Sequence, residues 1–171
     1  MSDVLYRTAT PDHAPALAAF AAQTFIETFA HLYPPEDLAA YLAKSYAPAI
    51  QREELSDPAI GTWLALRDGA LVGYAMAGPV DVKIAHGAHD RELYRLYVAG
   101  AVKGAGVAQA LMRKVLAWSK DANAEALWLS VWESNKRAQA FYKRYGFEHI
   151  GEHKFMVGCV ADRDFIWKLV L

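Results

Sequence analysis

Cysteine is nearly missing. Cys159 alone among 171 residues excludes an intramolecular disulfide and any metal site built on a cysteine cluster. An excess of positive charge is missing too. Lys and Arg number 18 against 19 Asp and Glu, for a formal charge of −1. No more than two basic residues stand side by side, so the chain carries no footprint for nucleic acid or for an anionic membrane. No apolar run approaches the roughly 18 residues of a membrane span. The opening Met1-Ser2-Asp3-Val4-Leu5-Tyr6-Arg7 has neither the basic nor the apolar stretch of a secretory signal, so a cytoplasmic protein is expected. The six histidines, His13, His31, His86, His89, His149 and His153, show no helical ligand spacing, and no metal site is expected. Internal repeats, linkers and low-complexity tracts are also lacking. What is present is 54% hydrophobic and 22% charged residues, ordinary globular usage. The length suits one domain over residues 1–171.

The order of elements reads as mixed α/β. Val4 to Thr8 alternates as a strand and stops at Thr10-Pro11-Asp12. From Pro11 to Phe29, apolar Leu17, Phe20, Ala21, Phe25 and Phe29 recur at helical spacing. A second helix is predicted from Pro35 through Tyr46, with acids in its first turn, and a short third from Ile50 to Leu55. Thr62–Arg67 and Leu71–Ala77 flank Asp68-Gly69, a hairpin signal. Pro79 to Asp90 reads as a connection and Glu92 to Val98 as a strand. A helix over Gly106–Lys120, a strand over Ala126–Val131 and a helix over Asn135–Tyr145 follow, the last stopped by Gly146. Two closing strands are predicted, Glu148–Val157 and Asp164–Val170. Cys159 falls late in this pattern and reads as a small buried hydrophobe.

Two segments carry chemistry. Leu96-Tyr97-Val98 leads through Lys103-Gly104-Ala105-Gly106-Val107-Ala108-Gln109 into a helix. Free N–H groups at a helix start, with the positive end of its dipole, attract phosphate. Glycines there let backbone approach a ligand closely. A P-loop order is absent, and a dinucleotide fingerprint needs a third glycine where Gln109 stands. A tight turn with no ligand is the competing reading. In the second segment, Asn135 and Tyr142 lie two helical turns apart with Ala138 between them, on one face. The competing reading there is a helix cap and a buried aromatic.

Taken in this order, the two segments resemble the GNAT superfamily of acyl-CoA-dependent N-acetyltransferases. Its phosphate-loop pattern, Arg/Gln-x-x-Gly-x-Gly/Ala, is met by Lys103, Gly106 and Ala108, with Lys in place of Arg or Gln. Its later pattern is met by Asn135, Ala138, Tyr142, Gly146 and Phe147. The likeness covers nearly the whole chain and is most specific from Glu92 to Phe147. It implies a mixed central sheet flanked by helices, whose two middle parallel strands, here Glu92–Val98 and Ala126–Val131, splay apart. A narrower likeness lies in Phe25-Ile26-Glu27-Thr28-Phe29, in Trp128 to Asn135 and in Ala140-Phe141-Tyr142-Lys143. These are similar to bacterial spermidine/spermine N-acetyltransferases of the Pai type.

The resemblance implies acetyl-CoA as cofactor and a primary amine as acceptor, polyamines first, then amino acids, protein N-termini or an amine antibiotic. N–H groups of Lys103, Gly104, Ala105, Gly106, Val107 and Ala108, with Gln109 beside them, would hold the pyrophosphate. The pantetheine arm would lie along Leu96, Tyr97 and Val98 as an added strand does. Asn135 and Ala138 would meet the arm, and Phe141 or Lys143 the adenine and 3′-phosphate end. Tyr142 matches the general acid, because a phenol stays protonated at neutral pH. Glu92 is the candidate base. It stands six residues before Val98, on the same face of a regular strand, and a solvated carboxylate is the competing reading. Tyr94 is a candidate for positioning water. Glu27, Glu36 and Asp37 would give an acidic acceptor wall, with Phe29, Tyr33 and Trp132 lining it. Dimers are common in this fold. A catalytically silent acyl-CoA sensor is the alternative function, and a nucleotide-binding Rossmann protein a third.

Overall fold

A computed structural model describes residues 3–171. Strand β1 (Leu5–Thr8) leads into a 3-10 turn, Pro11–His13, and helix α1 (Ala14–Phe29). The entry is capped locally: Thr10 N donates to His13 Nδ1 at 3.0 Å, and the Thr10 hydroxyl meets the same nitrogen at 2.9 Å. Helices α2 (Pro35–Ser45) and α3 (Pro48–Ser56) follow, each with proline in its first turn, where a missing N–H costs nothing. The hairpin of β2 (Gly61–Arg67) and β3 (Ala70–Pro79) turns at Asp68 and Gly69. Both have positive φ, 52° and 79°, the mirror-image turn that matches strand twist.

Strand β4 (Arg91–Val98), helix α4 (Val107–Asp121), strand β5 (Ala126–Trp132) and helix α5 (Lys136–Arg144) form the middle of the chain. Strands β6 (Glu148–Val157) and β7 (Val160–Val170) close it. Strand β7 begins four residues before the predicted Asp164, because the turn after Val157 lets that residue pair at once with Val160. Its early residues, Asp162, Arg163 and Asp164, are poor strand formers by composition. They are in the ladder because two neighbouring strands hold them there. Cys159 lies in that turn and is exposed, not buried as expected. No described helix is long and apolar enough to cross a membrane.

The seven strands run in the order β1-β2-β3-β4-β5-β7-β6, antiparallel except for β4 beside β5. One face packs on α4 and α5 through Leu93, Val107, Leu111, Val115, Leu127 and Phe147. The other packs on α1 and α2 through Leu17, Phe25, Tyr33, Tyr74 and Met76.

Two features of the middle strands shape what lies on them. First, β4 pairs with β5 over three residues only, Arg91–Leu127, Glu92–Trp128 and Leu93–Leu129. Beyond Leu93 the strands separate, and one edge of β4 is left without a neighbour. Second, the register of β4 on β3 slips: Met76 faces Arg95 but Ala77 faces Leu93. The extra residue, Tyr94, makes a bulge, and a bulge reverses the alternation of faces. Leu93, Leu96 and Val98 therefore pack on the α4 side, while Tyr94 and Tyr97 pack on the α1 side. Glu92 shares the α1 face with Tyr97, so the even separation that would align it with Val98 does not hold.

Candidate active site

The loop between β4 and α4 is built on left-handed glycines. Gly104 has φ 88° and Gly106, the residue capping α4, has φ 81°. A side chain there would be strained by the backbone alone, and the space where a Cβ would project is open at both. Two of the predicted donors are used internally: Lys103 N donates to Gly100 O and Ala105 N to Val102 O, both at 3.2 Å. The N–H groups of Gly104, Gly106, Val107, Ala108 and Gln109 meet no acceptor among the described residues. The last three are the first-turn amides that an α-helix cannot satisfy itself. They converge with the positive end of the α4 dipole, which suits an anion.

Beside this loop lies a cavity of about 500 Å3, lined by Leu96, Tyr97 and Val98 on the free edge of β4, Lys103, Gly104, Ala108 and Gln109 on the loop, and Asn135, Ala138 and Phe141 on α5. Arg137 and Arg144 also face it. They supply the cationic end that was expected of Lys143. Lys143 is not there; its Nζ lies 5.8 Å from the Trp167 ring. Position 144 follows it by 100° around the helix, which is enough to exchange one basic residue for the other. Arg144 sits 5.8 Å over the Phe141 ring. Glu27 is also displaced from its expected place: it lines this cavity, held by Gln23 Nε2 at 2.9 Å.

A second cavity of about 490 Å3 opens on the α1 face of the sheet. Phe29, Tyr33, Tyr94 and Trp132 line it as the sequence predicted, and so does Glu92. Glu36 is exposed, and Asp37 accepts from Cys159 N in the β6–β7 turn at 3.5 Å; neither lines the cavity. The acids that do were not legible: Asp81 on the connection after β3, and Asp162 and Asp164 on β7. Ser130 and His153 join them, with Ser130 Oγ 2.9 Å from His153 Nε2. Burial lowers the His153 pKa from its usual value, favouring the neutral ring. The two cavities share Leu96, Tyr97, Asn135, Ala138 and Tyr142, so they meet where β4 and β5 part.

Glu92 is not the solvated carboxylate of a strand end. It is 7% exposed, and its Oε2 accepts from Asp81 N at 2.7 Å and Val82 N at 3.0 Å. Oε1 has no partner among the described residues. Burial raises the carboxyl above its ordinary range, against the downward pull of the two amides. Tyr142, 8% exposed, packs edge-on against Phe141 and Phe147. Its hydroxyl meets no protein partner, and burial alone raises its pKa. Asn135 caps α5 through Oδ1, which accepts from Ala138 N at 3.1 Å, while the residue also lines both cavities. Tyr94 donates its hydroxyl to Pro79 O. Tyr33 donates to Asp162. Arg95, stacked 5.0 Å over the Tyr46 ring, is neutralised by a two-pronged pair with Glu54 at 2.7 and 3.0 Å.

Comparison with known proteins agrees with this arrangement. The acetyltransferase (GNAT) family profile matches residues 23–147. An uncharacterized N-acetyltransferase of Mycobacterium tuberculosis is 37% identical over 150 residues, covering 88% of this chain and 92% of that one. Another, from Lactobacillus delbrueckii subsp. lactis, is 29% identical over 162 residues, covering 92% and 91%. The crystal structure of PaiA N-acetyltransferase from Thermoplasma acidophilum in complex with coenzyme A superposes with a TM-score of 0.80 at 20% identity, covering 99% of each chain. The chain belongs to the GNAT acetyltransferase family and is an acetyl-CoA-dependent acetyltransferase.

Proposed function

We propose that this GNAT enzyme acetylates a primary amine by direct attack, with a polyamine as acceptor. The observation that carries the reading is the position of Tyr142: a buried phenol with no protein partner, in the wall common to the loop cavity and the acidic cavity. Acetyl-CoA, when bound, supplies an acyl group already activated as a thioester. The unpartnered amides of Gly104, Gly106, Val107, Ala108 and Gln109 fit its pyrophosphate, and Lys103, Arg137 and Arg144 its remaining charge. The free edge of β4 at Leu96, Tyr97 and Val98 fits its extended amide arm. Asn135, Ala138 and Phe141 would complete that wall.

Glu92 Oε1 takes the proton that an alkylammonium, near 10.4 in water, must lose before it can attack. Oε2 is anchored by two backbone amides, so the free oxygen is held in place. Tyr142 gives its hydroxyl proton to the departing thiolate, and the second proton, shed by the attacking nitrogen as it becomes an amide, restores the phenol; the burial that keeps Tyr142 protonated also strengthens its hydrogen bond to the nearby anion. No covalent enzyme intermediate is needed.

Four carboxylates line the acceptor cavity; Lys83 pairs with one of them, Asp81, and Arg95 with Glu54 outside the lining, which leaves Glu92, Asp162 and Asp164 without a counter-cation. Aromatic walls beside uncompensated carboxylates favour alkylammonium groups. The test is thiol release from acetyl-CoA over spermidine, spermine, lysine and glutamate. Turnover of the polyamines above the amino acids is expected, and preference for glutamate rejects the assignment.

A further inference from the structure

We propose that the acceptor must carry a second ammonium group, and that Asp164 and Asp162 on β7 hold it while the first is acetylated beside Glu92 and Tyr142. The inference rests on the acidic cavity being the amine site and adds where the non-reacting charge sits.

Asp162 and Asp164 are two residues apart, so they project from one face of β7, and both line the cavity. Arg163, between them, is engaged by Glu133 at 3.3 Å and by Glu152, so the strand's own cation does not neutralise them. Tyr33 fixes Asp162 by a hydrogen bond. Asp164 has neither a hydrogen bond nor an ion pair among the described residues. Burial, then the adjacent Asp162 charge, pushes its carboxyl up to about 6. A carboxylate in that condition lacks a counterion, and a bound ammonium supplies one.

At the opposite end of the cavity, Glu92 and Tyr142 are more than nine-tenths buried as residues, but Glu92 Oε1 and the Tyr142 hydroxyl are not among the fully buried unpaired atoms; with no protein partner, both face the open cavity, where an amine can reach them. The sheet fixes the separation of the two ends. Glu92 is level with Trp128, and Asp164 is level with Trp132. Four residues along β5 are about 13 Å, and the two strand spacings between β4 and β7 add about 10 Å across. Their side chains converge from those positions into one cavity, leaving the span of an extended diamine or triamine. Trp132, level with Asp164, and Phe29 line the same cavity, 5.9 Å apart ring to ring, and offer apolar contact to methylene groups.

The experiment compares n-butylamine, 1,4-diaminobutane and spermidine as acceptors, in steady-state kinetics and in calorimetric titration of the CoA-loaded protein. For the unaltered enzyme, KM should be about tenfold or more lower for the di- and triamine than for n-butylamine, as a charged hydrogen bond is gained. Asp164→Asn should raise KM and Kd for spermidine about tenfold, and those for n-butylamine by a clearly smaller factor. Equal KM values for n-butylamine and 1,4-diaminobutane overturn the inference and leave the amine-acetylating reading intact. So does an Asp164→Asn effect that is the same for all three amines. Failure of every amine to be acetylated or bound rejects the underlying reading and this inference with it. If the variant does not fold, the amine series on the unaltered protein still decides.

Discussion

Glu92 and Tyr142 belong to opposite faces of the sheet, yet both line one cavity of about 490 Å3. The gap between β4 and β5 makes this possible: Tyr142 is carried on α5, on the α4 side, and the strands separate just beyond Leu93. A closed parallel pair would have left the two groups with a sheet between them.

Tyr142→Phe should lower kcat about a hundredfold, within the range that general acid catalysis contributes, with acetyl-CoA affinity nearly unchanged. The phenol has no protein hydrogen bond to lose, so thermal stability should hold. Steady-state kinetics with a coenzyme A titration check both, and unaltered turnover removes Tyr142 as the acid.

Glu92 controls the acid side of the pH profile. Burial holds its carboxyl above the ordinary carboxylate range, so kcat/KM should fall as pH drops through that raised value and the base is protonated. Glu92→Gln should lower kcat/KM about a hundredfold and remove this limb, because the amide can still accept from Asp81 N and Val82 N but cannot take a proton. A profile that keeps the limb assigns it to another group.

Asp164 couples function to stability. Its folded pKa, about 6 against 3.8, is raised, so its neutral form favours the fold. That stabilisation is complete below about 3.8 and is lost as pH rises through about 6. Asp164→Asn should therefore unfold at higher temperature than the unaltered protein at pH 7.5, by a free energy on the order of 1 kcal/mol after allowance for solvent screening. The difference should vanish near pH 3.5. Thermal melts at the two pH values measure it.

Gly106→Val places a β-branched side chain at φ 81° on the residue that opens α4. Coenzyme A affinity should fall about tenfold or more, by strain and by obstruction of the neighbouring amides. Circular dichroism shows whether the fold persists, and a folded variant with unaltered affinity refutes the anion-site reading of the loop.

The Arg95–Glu54 pair, with side chains 17% and 22% exposed, ties α3 to the bulge in β4. Glu54→Gln alone should cost about 3 kcal/mol, since it leaves a guanidinium buried without its counter-charge. Replacing both partners by Leu should cost less than the single change. Denaturant melts of the single and double variants test the order.

Much of this site can be read along the chain. Glycine-bearing loop, capped helix and Asn135-x-x-Ala138-x-x-x-Tyr142 are local patterns, and local patterns survive without tertiary information. Positions that failed did so for nameable reasons. Lys143 and Arg144 differ by one step around α5, closer than boundary reading resolves. Glu36 and Asp37 are acids in a helix start, where the dipole alone accounts for them. Asp164 opens the predicted last strand and Asp162 lies just before it, but nothing local ties either acid to the cavity; pairing with β5 and β6 brings them there. Cys159 was read as buried from its residue type, but it lies in the two-residue turn after Val157, where it is exposed.

The amino-acid order alone fixed the succession of helices and strands, the loop whose amides can seat an anion, and the phenol two turns beyond Asn135. All of these depend on neighbours within a few residues. Tertiary structure decided which carboxylates share a cavity with that phenol. The bulge at Tyr94 set the face of Glu92, the short β4–β5 ladder opened the sheet, and β7 brought in acids some seventy residues from Glu92. Register and strand separation arise from pairing between distant segments, and no local pattern encodes them.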